Sequence, residues 1–302
     1  MLFLQRMFCK RVYAHILVVF TLLSLSGLGQ TKEILDAKTI AAKMVKAIND
    51  VQRLKYNLKI TERGRRGYNY YESAVKLNRK PRKLYIYIKG IEVLWTIGTN
   101  NGKALVKPNS FPYFNLNLDP MGSLMRQDQH HTINELGFDY FGGIVEYCAQ
   151  KLGPKVDDYF SLEGEERYNN RPCYKLVINN KDFAYTSYTV GDGESITSIA
   201  RKLFISEYMI VELNPKFKDY FDILKKGQVI KVPNWYAKNV IMYVDQLYFL
   251  PIGVKVYDDK SLFEEYVKSI LSEVFEPTPV YKVCKWFDYQ PICVAKDIEE
   301  SG

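Results

Sequence analysis

Residues 188–203 read YTVGDGESITSIARKL, and residues 227–233 read GQVIKVP. Tyr188 and Val190 carry strand propensity into a Gly-Asp-Gly turn at 191–193. Ser195 then stands at an N-cap position, ahead of Ile196, Ile199, Ala200 and Leu203 at helical spacing. A second short amphipathic run, 206–213, points Ile210 and Leu213 inward and stops at Asn214-Pro215. Gly227 and Gln228 open an alternating strand at 229–232. The order strand, helix, helix, strand is complete within 188–233.

This order, with Tyr188-x-Val190, Gly193-Glu194-Ser195, Ile199-Ala200, Leu213-Asn214 and Gly227-Gln228-x-Ile230-x-Val232-Pro233 in place, resembles a LysM domain. The resemblance implies a small βααβ unit that binds N-acetylglucosamine-containing glycan, peptidoglycan above all. Its shallow groove would lie between the loop after the first strand and the loop before the last. On this chain those loops hold Gly193, Glu194, Ser195 and Ile196, and Asp222, Ile223 and Leu224. Backbone N–H and C=O groups would meet the acetamido arms, and small apolar side chains the sugar faces. The plainer expectation is an insert that only caps or stiffens its host.

The 302 residues are 47% hydrophobic and 25% charged, which suffices for one large core or two smaller ones. Twenty-four tyrosines suit half-buried strand faces, with stacking platforms for sugar rings as the sharper alternative. Residues 1–29 read as a signal peptide. Arg6, Lys10 and Arg11 precede an apolar run at 16–25, and Gly27-Leu28-Gly29 supplies a small-x-small cleavage site. The run is short for a membrane span, though an uncleaved anchor is the alternative. Cys9 precedes the apolar run and cannot be a lipoprotein cysteine. Cleavage would lower the net charge of +8 by three, leaving a mildly basic chain suited to an anionic envelope rather than to nucleic acid. Four cysteines remain, Cys148, Cys173, Cys284 and Cys293, and an exported chain permits disulfides between them. The shortest loops come from pairing Cys148 with Cys173 and Cys284 with Cys293. No C-x-x-C supports a zinc ribbon or redox pair.

Along the rest of the chain, 31–51 has a helical apolar stripe through Ile40, Met44 and Ile48. From Leu54 the period becomes two. Alternating runs at 71–77, 84–88, 93–97 and 103–106, with an Asn-Asn-Gly turn at 100–102, predict an antiparallel meander. Residues 109–129 read as irregular and 132–152 as a helix. Strand signals resume at 159–167, 173–178, 240–244 and 254–256, and 262–274 leans to strand. Strands on both sides of 188–233 predict an insertion into a sheet, removable without unfolding the host. VKLNRKPRKLY (75–85), the Asn-Gly-Lys turn with ALVKP (104–108) and LDPMGSLMR (118–126) resemble a family of exported bacterial proteins of unassigned function, similar to the LolA, LolB and RseB group. This implies an α+β host, residues 30–187 and 234–302. Its fold would be a curved antiparallel half-barrel closed by helices, the shape in which the carriers hold acyl chains. A concave side simply filled by core is the plainer expectation.

No catalytic site assembles from the sequence. His130 and His131 are adjacent, so their side chains diverge, and they read as a solvated loop pair with no metal implied. Glu163/Glu165 and Glu264/Glu265 read as charged strand faces or turns rather than paired catalytic carboxylates. Ser195 lacks a G-x-S-x-G elbow, and no phosphate loop occurs. The chain reads as a non-enzyme of the periplasm or envelope, with no cofactor. Its expected partner is peptidoglycan or a related glycan, with a lipid or lipidated protein in the half-barrel as the alternative.

Overall fold

A computed structural model of the chain describes residues 35–126 and 129–270. The signal segment and both Cys284 and Cys293 lie outside them. Helix α1 (Ala37–Asp50) is capped by Asp36, which accepts the Thr39 N–H at 2.7 Å, and buries Ile40, Met44 and Ile48. Alternation then builds a meander of β1 (Arg53–Gly64), β2 (Gly67–Asn78), β3 (Lys83–Ile88), β4 (Ile91–Thr96) and β5 (Ala104–Lys107). Short β6 (Leu116–Leu118) and the one-turn helix α2 (Ser123–Arg126) organise the segment expected to be irregular. Helix α3 (Asp139–Leu152) starts later than expected. A 3-10 turn at Ile133–Glu135 and Gly137 precede it. Gly137 has φ +104° with Leu77 packed 2.7 Å from where a Cβ would stand, so the chain turns there.

Strands β7 (Phe160–Tyr168), β8 (Arg171–Asn179), β11 (Asn239–Asp245), β12 (Pro251–Tyr257) and β13 (Leu262–Ile270) complete one eleven-stranded sheet. Its order is β6-β5-β4-β3-β2-β1-β13-β12-β11-β8-β7, with every neighbouring pair antiparallel. Strand β13 pairs with β1, Leu58 opposite Lys268, and so joins the first meander to the last strands. One face of the sheet curves around a concavity covered by α3, which makes the host a half-barrel. No helix among the described residues is long and apolar enough to cross a membrane.

The small unit comprises β9 (Tyr185–Thr189), α4 (Ile196–Leu203), α5 (Glu207–Leu213) and β10 (Val229–Pro233), with β9 and β10 paired antiparallel. Ser195 caps α4 as its position predicts, accepting the Ser198 N–H at 3.1 Å. Asn214 bridges the elements, donating to Ile210 and Lys231 carbonyls at 2.7 and 2.8 Å. The unit interrupts the sheet between β8 and β11, which pair directly with Asn179 opposite Asn239. Entry and exit are zipped together by Asn234, whose Oδ1 accepts the Ala184 N–H and whose Nδ2 donates to the Asp182 carbonyl.

The unit is docked, not pendant. Residues Glu207 to Val211 of α5 are all buried, although Glu207 is charged. Arg126, 2% exposed, ion-pairs with Glu207 and lies over the Tyr220 ring at 4.3 Å. Arg63 bridges Asp258 of the host to Glu212 of the unit. Arg65 donates to the Phe217 carbonyl at 2.6 Å, and Tyr208 stacks on His130 at 4.3 Å. These contacts are made by side chains far apart in sequence. They alter the expectation of a freely removable insert, because excision would strand buried charge.

The expected Cys148–Cys173 disulfide is not formed, and both thiols are free. Cys148 on α3 lines the concavity, whereas Cys173 on β8 packs with Tyr243 and Ile252 in a separate cluster. Loop length favoured that pairing, but the fold holds the two thiols in different places. Burial pushes each thiol up to about 11.

Candidate functional site

The concave face encloses a cavity of about 460 Å³, within the range of small-molecule sites. The core there is thus not filled. Its walls come from alternate strand positions, such as Leu58 and Ile60, Ile86 and Ile88, and Val254 and Val256, with Phe141, Ile144 and Cys148 from α3 opposite. The period-two pattern legible in the sequence places these side chains inward.

Part of the lining is polar, and here the structure corrects two readings. His130 is 5% exposed and Glu264 1%, so neither sits on a solvated surface. Glu264 pairs across the sheet with Glu62 on β1, and the histidine loop folds over both. His130 Nδ1 lies 2.9 Å from Glu264, and its backbone N–H donates to Glu62 at 3.1 Å. The Tyr266 hydroxyl sits between the two carboxylates at 3.0 and 3.1 Å, while Tyr236 donates to Glu264 at 2.6 Å. His131 lies between Glu135, at 3.2 Å, and Glu264, at 3.4 Å, so the two adjacent imidazoles converge on one carboxylate instead of diverging as expected, and Glu135 also pairs with Arg201 of α4 at 2.5 Å. Burial works against charge on His131, but Glu264 and Glu135 hold its pKa well above the ordinary value. Burial likewise opposes ionisation of Glu264, yet His131 and His130 keep its carboxyl well below the usual range. Glu62, His130 and Glu264 each offer one ligand atom within 4.8 Å of the others, a spacing open to a cation. The three are already engaged, His130 Nδ1 with Glu264 and the Glu62 carboxylate with the His130 backbone N–H and Tyr266, so the cluster is closed as a hydrogen-bonded network.

Lys268, also lining the cavity, differs. It is 7% exposed, and rings of Phe138 and Tyr266 lie 4.9 and 5.7 Å from its Nζ. Burial alone pushes its ammonium down to about 8.

The second site is the groove expected on the small unit. The structure joins the chain segments that flank its two loops. Gly227 N–H donates to the Val190 carbonyl and Val190 N–H to the Gln228 carbonyl, both at 2.9 Å, while Lys226 lies 4.0 Å from Asp192. Gly193 turns at φ +67° with open space beside it. Glu194 accepts from Lys202 at 2.9 Å and from Tyr188 and the Gly191 N–H at 2.8 Å, so Lys202 first of all holds its carboxyl down to about 2. Ser195 is occupied as a cap, Asp222 accepts the Lys218 N–H, and Leu224 packs against the unit's core. The Ile196 side chain is wholly inside that core, leaving its backbone. Ile223, 91% exposed, is the apolar side chain presented outward. Arg63, Arg126 and Glu207, which join this unit to the host, carry no signal in sequence beyond an acidic residue in the first turn of α5.

Residues 188–233 match the LysM domain family and are a LysM domain. No curated protein matches the chain. Among solved structures, the lipoprotein LppX from Mycobacterium tuberculosis is similar at 11% identity and TM-score 0.36, covering 80% of this chain and 98% of that one. A DUF1329 family protein from Desulfovibrio piger is similar at 10% identity and TM-score 0.31, covering 78% and 91%. A LolA superfamily protein from Nitrosomonas europaea is similar at 12% identity and TM-score 0.27, covering 79% and 93%. Likeness at this level bears on neither ligand nor activity.

Proposed function

We propose that this chain is a non-catalytic binding protein of the cell envelope whose half-barrel holds the apolar part of a lipid or lipidated partner. The cavity of about 460 Å³ carries this reading. An apolar-walled space of that size forgoes packing contacts that a filled core would make, and an acyl chain restores them. Purified protein stripped of lipid should take up N-phenyl-1-naphthylamine at one site and release it to long-chain acyl compounds. Fluorescence that stays at the aqueous level across all protein concentrations would end the proposal.

A second reading runs beside it and is favoured by the exposure of Ile223 and of the loops around Asp192 and Lys226. On this reading the LysM domain binds peptidoglycan or another N-acetylglucosamine polymer through Gly193, Glu194, Ser195, Ile196, Asp222, Ile223 and Leu224. Helix α5 and Tyr220 lie against the host, while Gly193, Ser195 and Ile223 are exposed. One shallow site should bind weakly, roughly 10 µM to 1 mM. Co-sedimentation with insoluble wall, and amide shifts in these loops with soluble oligomers, test it. A LysM domain and an apolar cavity together also support an extracytoplasmic location.

A further inference from the structure

We infer that the half-barrel selects an anionic amphiphile, whose acidic head group pairs with the Lys268 ammonium inside the cavity. The inference rests on the cavity reading above and names the class of ligand. Five charged or titratable carboxylate, imidazole and ammonium groups line the space: Glu62, His131, Glu135, Glu264 and Lys268. Four of them are satisfied by protein. Glu62 and Glu264 share His130 and Tyr266, His131 lies between Glu135 and Glu264, and Glu135 also holds Arg201. Lys268 alone has no carboxylate and no hydrogen-bond acceptor among the described residues. It has only the ring faces of Phe138 and Tyr266.

Its position explains why no carboxylate of the described residues reaches it. Lys268 sits opposite Leu58 in the centre of the sheet, on the face whose neighbours are apolar, and Glu264 is four residues away along the same strand. At strand rise that is about 13 Å. A lysine normally escapes burial by stretching its stem to water. Here the strand is central and the stem ends in the cavity, where no described residue supplies an acceptor and a ligand can. An ammonium left unpaired in an apolar, curved pocket is the kind of perturbed group that marks a binding site. A carboxylate or phosphate head on an acyl chain offers what is missing, namely charge and acceptors at Nζ with hydrocarbon along the walls. A neutral amphiphile leaves the ammonium unpaired, and a cationic one adds repulsion.

Displacement of the fluorescent probe by dodecanoate, dodecyl phosphate, dodecanol and dodecyltrimethylammonium separates these cases. Wild type should bind one or both anions about tenfold or more tighter than the alcohol, and the cation weakest. The relative affinity of carboxylate and phosphate identifies the head group. Lys268→Met should bind alcohol and anions alike, and Lys268→Arg should keep the preference. Circular dichroism first establishes that each variant is folded. Equal wild-type affinity for anion and alcohol, or a preference that survives in Lys268→Met, overturns the role of Lys268 while leaving the cavity reading intact. Failure of every dodecyl compound to displace or bind overturns both.

Discussion

The LysM domain closes a small core in which Val190, Ile196, Ile199, Ile210, Phe217 and Ile230 meet from α4, α5, β10 and two loops, with Tyr188 of β9 packed against them. The half-barrel has eleven strands and two long helices and still leaves about 460 Å³ unfilled. A short βααβ unit has no surplus apolar surface, so each inward side chain is needed for stability and few alternatives pack. A broad curved sheet buries enough on its flanks to tolerate a hollow centre. The contrast assigns ligand contact to different parts of the two regions: outer loops in the one, inner walls in the other. Where they touch, the buried ion pair of Arg126 and Glu207 stands beside ring contacts of Tyr208 with His130 and Phe263.

The largest effect is expected where the joint between the two regions is cut. Glu207→Ala leaves Arg126 buried and uncompensated, and should cost about 3–5 kcal/mol in chemical denaturation. A loss under about 1 kcal/mol would mean that the domain is effectively pendant. Replacing 188–233 by a Gly/Ser linker should be worse, since Arg63 and Arg126 both lose partners.

The hollow core makes a prediction of opposite sign. Unfolded Lys268 has an ordinary value near 10.4, whereas the folded value is about 8. Between those values the unfolded chain binds the extra proton, so stability contributed by this site rises with pH from 8 to about 10 and is lowest below 8. Lys268→Met removes the penalty. Without ligand it should stabilise the protein at pH 7 by up to about 3 kcal/mol, the gain vanishing near pH 10. A Lys268→Met variant that is less stable at pH 7, or whose advantage does not shrink with pH, contradicts the unpaired ammonium.

Cys148 sharpens the same contrast without touching stability. Its thiol is free and pushed up to about 11, so at pH 7.5 it should alkylate roughly two orders of magnitude more slowly than an unperturbed cysteine. Serine replacement of the other four cysteines isolates the signal. Bound acyl chains should slow it further. Rapid labelling, or a Cys148–Cys173 crosslink in non-reducing peptide maps, would contradict the geometry.

The smallest expected effect belongs to the groove. Ile223→Asp should weaken wall retention by about three- to tenfold, near 1 kcal/mol, and leave folding within about 0.5 kcal/mol because the side chain is 91% exposed. Gly193 is a poorer probe. Its φ of +67° makes a bulky substitution strain the turn itself, although there is room for the side chain. Unchanged retention by folded Ile223→Asp would favour an insert that only braces its host.

Local chemistry made the LysM domain legible from residues 188–233 alone. The Ser195 cap, the Asn214-Pro215 stop and the inward spacing of Ile196, Ile199 and Ile210 all act within a few residues of one another, and their meaning does not depend on what surrounds them. The same holds for the strand alternation of the host, including β13, because a period of two needs only the strand itself. What tertiary structure decided is the set of meetings between distant residues. Glu62 and Glu264 become one buried site because β1 pairs with the last described strand, which also turns His130 from a surface residue into a buried partner. Arg126 finds Glu207 across 81 residues, and Cys148 and Cys173 miss each other across 25. Whether a concave face is filled or hollow depends on sheet curvature summed over eleven strands, a quantity no single stretch of sequence contains.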